Sequence, residues 1–104
     1  QLRRVTEFME DNYARVIRLQ ELATLAGLSE SYFCSAFKAS TGVSPHAWQM
    51  RKRIDQAQML LLQPNVSLPH IAALTGFADQ AHFTRVFKKL TGTTPAAWVR
   101  QHQQ

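Results

Sequence analysis

Hydrogen-bond donors and positive charges collect on one side of the segment around residues 80–89. At about 100° per residue, Phe83 and Phe87 fall on one face of a helix, and Arg85 and Lys88 fall roughly opposite. Arg85 is the sharpest candidate, because a guanidinium can donate two hydrogen bonds to a guanine, worth about 1–3 kcal/mol of discrimination. The alternatives for Arg85 are a solvated charge or a phosphate contact. Phosphate is the expected partner of Lys88 and Lys89. The same outward face includes Gln80, Ala81 and Thr84.

An earlier segment presents an equivalent face with shorter side chains. Phe33 and Phe37 precede the other two phenylalanines by 50 residues, and the same geometry turns the opposite side outward. The outward residues are Ser31, Cys34, Ser35 and Lys38. The side chains of this face are mostly short, so the helix can enter a major groove. The face either reads bases through short contacts and water or mainly positions the protein. Lys38 is predicted to contact phosphate. The later segment is expected to contribute more of the salt-sensitive affinity.

Both faces belong to an internal repeat of the chain. The matched positions of the first copy are Leu19, Ala23, Leu25, Gly27, Phe33, Phe37, Lys38, Thr41, Gly42, Pro45, Ala47 and Trp48. The offset to the second copy is 49 residues as far as Gly76 and 50 residues from Phe83 onward. The second copy therefore carries one extra residue just after Gly76. So many matches indicate two copies of one supersecondary unit.

Helix-start and helix-stop residues divide each copy into helices joined by short turns. In the first copy, Gly27 ends one helix, and the next runs from a cap at Ser29 to Gly42. Ser44, followed by a proline, starts a longer helix that reaches about Leu62. The second copy restarts near Asn65 and Ser67, and its later helices are capped by Asp79 and Thr94. With a leading amphipathic helix, the sequence predicts an all-α fold of seven helices.

Each copy has the order of a helix-turn-helix unit: a short helix, a turn with glycine and a capped second helix. One such unit would equally fit a plain helical hairpin, but two copies on a basic chain favour DNA binding. We expect a first unit over about residues 1–43, a linker helix over about 44–62 and a second unit over about 63–104. A linker of about 19 residues is roughly 28 Å long. The two recognition helices are therefore expected to read successive major grooves, about 34 Å apart, of an asymmetric site.

The linker region contains the densest run of charge, Arg51, Lys52 and Arg53. Such a run is usually a solvated helix face. Between two groove-binding helices, however, we expect Arg51 to reach the DNA backbone. The helix starts after Ser44 and Thr94 are further phosphate candidates, because the N–H groups of a helix N-terminus favour anions.

Composition limits the remaining classes. The chain has 104 residues, is 45% hydrophobic, and carries a formal net charge of +5, which is typical of a folded domain with a polyanionic partner. A single cysteine excludes a disulfide within the chain and favours a reducing cytosol. No apolar run reaches the roughly 18 residues of a membrane span, so no membrane role is expected. The chain begins with Gln1 and not with Met, which favours a piece of a longer protein over the alternative of a short stand-alone one.

No residue pattern favours a metal site or catalysis. The four histidines, His46, His70, His82 and His102, lack partners at metal-ligand spacing. Cys34 has no neighbouring base in the sequence, and neither a glycine-rich phosphate loop nor a catalytic triad is present. We therefore expect no enzymatic activity, no metal and no cofactor. Trp48 and Trp98 occupy the same place in both copies and are predicted to anchor the core.

The segment from Ile71 to Pro95 closely resembles the signature of the AraC/XylS family of bacterial transcription regulators. The first copy and the Arg53–Ala57 stretch resemble the rest of that family's DNA-binding domain. The resemblance implies seven helices with two helix-turn-helix units, and an effector-binding or dimerising domain that this chain does not contain. Its base-reading positions fall on Ser31, Cys34, Ser35, Gln80, Ala81, Thr84 and Arg85. The family often has arginine where this chain has Ser35, which weakens the expectation of direct reading by the first unit.

These observations together predict sequence-specific binding of double-stranded DNA in the bacterial cytoplasm, at the nucleoid. The alternative is a basic helical module that docks on an acidic protein or on RNA polymerase, and members of the resembled family do contact polymerase. Replacing Arg85 with alanine distinguishes the two, because only a DNA reader would lose preference at one or two base pairs.

Overall fold

The computed structural model describes residues 2–102, and over that range the chain forms seven helices and no strand. The helices are α1 (Leu2–Asp11), α2 (Leu19–Ala26), α3 (Glu30–Thr41), α4 (Pro45–Leu61), α5 (Leu68–Leu74), α6 (Gln80–Thr91) and α7 (Pro95–His102). The predicted all-α fold is confirmed.

Side-chain caps fix where most of these helices begin. The Asp79 carboxylate accepts a hydrogen bond from the backbone N–H of His82 at 2.8 Å, and the Ser29 hydroxyl accepts one from Tyr32 at 3.2 Å. The starts of α4, α5 and α7 have the same bond, made by Ser44, Ser67 and Thr94. Each bond satisfies one of the N–H groups that a helix start leaves unpaired, which typically contributes about 1 kcal/mol.

The two longer helices of the repeat, α3 and α6, end in the same way. Gly42 and Gly92 adopt the left-handed conformation, with φ of 87° and 84°. Their N–H groups donate to the carbonyls of Lys38 and Lys88, both at 2.8 Å. In each helix the last threonine donates its hydroxyl to the carbonyl four residues earlier. A side chain with a Cβ is strained at this φ, so glycine is the residue that stops the helix there.

The chain divides within α4 into two compact units, of which the first extends to Met50. Its core lies among α1, α2 and α3, and the buried side chains are Val5, Met9, Leu22, Ala23, Phe33 and Phe37. Half-buried Trp48 packs edge-on against Phe37, with ring centroids 6.4 Å apart and an interplanar angle of 84°. That geometry is favourable for aromatic rings and ties the start of α4 to α3.

The second unit begins at Arg51 and repeats this arrangement. Its buried apolar side chains are Ile54, Ala57, Leu61, Ile71, Ala72, Phe77, Phe83, Phe87 and Trp98. Phe87 lies 5.7 Å from Phe83 and 6.1 Å from Trp98, again edge-on to the indole at 83°. Trp98 is only 8% exposed and lies in the core, as predicted. Trp48 makes the same aromatic contact but is half-buried.

A buried amide closes the loop between α1 and α2. Gln49 is only 6% exposed, and its Nε2 donates to the carbonyls of Tyr13 and Arg15 at 3.0 and 2.8 Å. Buried polar groups are tolerated when they are hydrogen-bonded. Gln49 therefore holds the loop that leads into α2.

An ion pair orders the same loop from the outside. Two guanidinium nitrogens of Arg15 donate to the two carboxylate oxygens of Glu21, at 3.2 and 2.9 Å. The backbone N–H of Arg18 donates to the same carboxylate at 3.0 Å, just ahead of α2. The hydrogen bonds from Arg15 and then from Arg18 lower the pKa of Glu21 from its ordinary value of 4.5 to about 2.

This shift makes the contribution of Glu21 depend on pH. A carboxylate with a lowered pKa stabilises the fold above its unfolded pKa, and the contribution is lost as the pH falls toward about 2. We expect Glu21→Gln to lower the melting temperature modestly at neutral pH, because the pair is exposed and screened. Thermal unfolding across pH 2–7 should show the difference from the parent chain shrinking below about pH 4.5 and vanishing near 2. A difference that stays constant over that range would contradict the assignment.

The aromatic core yields a second prediction. Phe87→Ala removes a fully buried ring between Phe83 and Trp98, so we expect the free energy of unfolding to fall by about 3–5 kcal/mol. Arg85→Ala, on the exposed face of the same helix, is the matched control and should change it by less than about 0.5 kcal/mol. Urea denaturation of both variants measures the difference. A loss below about 1 kcal/mol for Phe87→Ala would show that this ring does not hold the unit together.

Candidate nucleic-acid interface

The α6 helix has one buried face and one basic face. Phe83 and Phe87 are completely buried, which fixes the rotation of the helix about its axis. The opposite positions predicted to contact DNA are exposed at Gln80, Ala81, Arg85, Lys88 and Lys89. Thr84 is half-buried at the edge of this face. The structure thus brings the predicted residues of α6 together on one side of that helix.

The turn that leads into α6 has the same hydrogen bonds as its counterpart before α3, with one residue added. The N–H of Phe77 donates to the carbonyl of Ala72, and the N–H of Leu28 donates to that of Ala23, both at 3.0 Å. Since Phe77 corresponds to Leu28, the added residue is Ala78, which is exposed immediately before the Asp79 cap.

The exposed face of α3 has one cation where that of α6 has three. Ser31, Ser35 and Lys38 are exposed, and Phe33 and Phe37 are completely buried. Lys38 corresponds to Lys88, but Ser35 stands where α6 has Arg85, and Ala39 stands where it has Lys89. The exposed face of α3 therefore has shorter side chains and less positive charge than that of α6.

Cys34 differs from the outward orientation that the sequence predicts. It is half-buried and lines a cleft of about 270 Å³ inside the first unit. The other residues of this cleft are Met9, Ile17, Leu19, Leu22, Ser44, Pro45, His46 and Gln49. The thiol is thus at the border between the core and the exposed face of α3, not at the centre of that face.

The charge run at the start of the second unit separates into residues with different surroundings. Arg51 is exposed, and its Nη2 donates to the carbonyl of Leu90 in the last turn of α6 at 3.2 Å. Arg53 is only 6% exposed, and its Nη1 donates to the carbonyl of Gly76 at 2.9 Å. Burial lowers the pKa of Arg53 from its usual value. Sequence reasoning gave Arg53 no role of its own, and no local signal marks it out from Arg51.

The two predicted helix-start sites have equivalent geometry in the two copies. The exposed hydroxyls of Ser44 and Thr94 each accept a hydrogen bond from the N–H three residues later, both at 3.1 Å. Pro45 and Pro95 follow them and contribute no N–H. At each of these helix starts, one N–H group that could bind an anion is therefore already bonded to the cap hydroxyl.

Neither a metal-binding cluster nor a membrane-spanning helix occurs in the described part of the chain. Residues 2–102 contain no group of three or more His, Cys, Asp or Glu side chains placed to hold a metal ion. None of the helices within this range has both the length and the apolar character that crossing a membrane requires.

Known proteins with similar sequences and folds show what kind of domain this chain is. A family model described as a helix-turn-helix domain matches residues 22–101. The virulence regulon transcriptional activator VirF of Yersinia enterocolitica is 36% identical over 93 residues, which are 89% of this chain and 34% of VirF.

Two solved structures share the fold over nearly their whole length. The DNA-binding domain of AdpA, a global transcriptional factor crystallised with a target DNA, is 27% identical with a TM-score of 0.88, covering 97% of this chain and 91% of that one. A probable AraC family transcriptional regulator from Rhodopseudomonas palustris CGA009 is 30% identical with a TM-score of 0.84, covering 98% and 96%.

The family model and the fold define the chain as a helix-turn-helix DNA-binding domain of the kind found in bacterial transcription regulators. It belongs to the AraC family. The chain spans about a third of the length of the curated relatives that it matches.

Proposed function

We propose that the chain reads double-stranded DNA through α3 and α6, with α6 as the stronger reader. The observation that carries this proposal is the exposed face of α6, where Arg85, Lys88 and Lys89 lie opposite two completely buried phenylalanines. A helix that buries one face this firmly presents its donors as a rigid set, and a major groove is wide enough to admit it.

Base edges and phosphates are assigned to different residues. The proposed base-reading residues are Ser31, Cys34, Ser35, Gln80, Ala81, Thr84 and Arg85. The proposed phosphate contacts are Lys38, Ser44, Arg51, Lys88, Lys89 and Thr94. Half-burial at Cys34 and Thr84 restricts these two to close contacts, whereas Arg85 extends from an exposed position and can donate to a guanine.

The binding site on DNA is proposed to be asymmetric. The two copies follow one another in a single chain, so they are not related by the two-fold symmetry that produces palindromic operators. We propose that the first unit, linker helix and second unit place α3 and α6 in successive major grooves. Selection of bound duplexes from a random library should enrich two different sequence boxes about one helical turn apart.

Membership of the family supports further proposals about transcription, partners and the place of action. The VirF relative is named as a transcriptional activator, and we propose that this chain likewise controls transcription, with RNA polymerase as a partner. We also propose that the full protein has an effector-binding or dimerising domain, since the chain covers only 38% and 34% of two longer relatives. We place the site of action on the nucleoid in the bacterial cytoplasm.

Arg85 provides the direct test of base reading. We expect Arg85→Ala to abolish preference at one or two base pairs of the enriched sequence and to cost about 1–3 kcal/mol in binding to it. Arg85→Lys is the matched control, because it keeps the charge but loses the planar pair of donors. It should therefore weaken preference at the same base pairs while leaving the salt dependence unchanged. Equal preference in the parent chain and Arg85→Ala, measured on duplexes that differ at one pair, would remove Arg85 as a reader.

Salt dependence tests the assignment of phosphate contacts. Each phosphate neutralised adds about 0.9 to the slope of log affinity against log salt. We expect the double change Lys88→Ala with Lys89→Ala to reduce the slope by about 1.8, and Lys38→Ala to reduce it by about 0.9. Arg100→Ala removes an exposed charge from α7 and is the control that should leave the slope unchanged. Fluorescence anisotropy titrations between 50 and roughly 300 mM salt measure the slopes. A reduction in Arg100→Ala as large as that in Lys38→Ala would show a general charge effect only.

A further inference from the structure

A buried arginine connects α4 to the turn that precedes α6. The Arg53 guanidinium donates to the Gly76 carbonyl at 2.9 Å and lies 5.5 Å from the centroid of the Phe77 ring. A guanidinium at this distance over an aromatic face is attracted to it, and the attraction is stronger when water is excluded, as the 6% exposure of Arg53 indicates. One side chain thus holds both the backbone and the ring of the turn.

The turn is in direct contact with the first residues of α6. The Phe77 ring is 5.2 Å from the His82 ring, edge-on at 81°, and 5.5 Å from the Phe83 ring. His82 also donates its backbone N–H to the Asp79 cap. A displacement of Phe77 would therefore be transmitted to His82 and Phe83, which precede Arg85 by three and two residues.

The added residue makes this turn the longer of the two in the repeat. Ala78 has no counterpart before α3, and it is exposed between Phe77 and the Asp79 cap. A longer connection has more conformations available to it, so the direction of the following helix depends more on what anchors the turn. The anchor in the second unit is Arg53.

We propose that Arg53 is a positioning residue for base reading: by holding Gly76 and Phe77 it sets the angle at which α6 presents Arg85 to the major groove. This inference rests on the proposed reading of DNA by α6. It differs from an ordinary stabilising role because a bidentate contact to a guanine requires the guanidinium of Arg85 to be placed accurately, whereas phosphate contacts tolerate a shift of the helix.

The test uses a duplex enriched from a random library by the parent chain, together with three duplexes altered at the base pair that Arg85→Ala identifies. The readout is the ratio of the dissociation constants for the best and the worst base at that pair. We expect a ratio of roughly tenfold or more for the parent chain, and about threefold or less for Arg53→Met. Adding Arg53→Met to Arg85→Ala should cause no further loss of the ratio, because Arg85→Ala already removes the contact that Arg53 is proposed to position.

Two further variants separate positioning from stability. Arg53→Lys keeps a cation but lacks the planar fork, so it should give an intermediate ratio and remain folded if Arg53→Met does not. Gln49→Leu removes a buried group that donates to backbone carbonyls in the first unit. It should lower the melting temperature yet leave the ratio at the Arg85 base pair intact. All measurements are made at a temperature at which circular dichroism shows each variant to be folded.

The outcomes separate failure of the positioning role of Arg53 from failure of the proposed function. An unchanged ratio in Arg53→Met and Arg53→Lys, beside a clear loss in Arg85→Ala, overturns the positioning role and leaves the proposed function intact. An equal loss in Gln49→Leu overturns it as well, since the effect would then be one of general stability. Failure of the parent chain to enrich any sequence defeats the proposed function, and the positioning role with it.

Discussion

The burial of two phenylalanines one helical turn apart is the constraint on which the rest of this structure depends. Phe33 and Phe37 in α3, and Phe83 and Phe87 in α6, are all completely buried. Burial of a pair spaced by four residues fixes the rotation of a helix about its axis, and the residues on the other side have to face outward. The caps and the left-handed glycines fix the two ends of each helix. The exposed faces are therefore consequences of the core and keep their direction whatever residues occupy them.

The parts of this fold that could be predicted from sequence are those determined by residues close together in the chain. Helix periodicity and caps depend on neighbours three or four positions away, so the sequence places the start of α6 within one residue of Gln80. The exposed side of α6 follows from the same spacing. The resemblance of the Ile71–Pro95 segment to a known family adds the function, and the family comparison bears this out.

What could not be predicted depends on contacts between distant parts of the chain. In the sequence, Arg53 is the third residue of a charge run that is typical of a solvated helix face. In the structure, its guanidinium donates to a backbone carbonyl 23 residues away. Gln49 bonds to carbonyls 34 and 36 residues away. Cys34 lies at the edge of an outward face, where burial is decided by the neighbouring helices and not by its own spacing. Local patterns predict the centre of a helix face well and its borders poorly.

In α3 and α6, the residues that hold the helix ends are not the proposed base-reading residues, and this separation has a consequence for how the two copies can diverge. A mutation at Ser35 or Arg85 leaves the phenylalanines, the caps and the terminal glycines untouched. After duplication, one copy can therefore lose or gain long side chains while the other keeps its own, without a penalty in folding. The exposed faces of α3 and α6 differ in this way: one is rich in hydroxyl groups and the other is cationic. The two helices nevertheless end with the same hydrogen bonds, as expected if the two faces diverged independently.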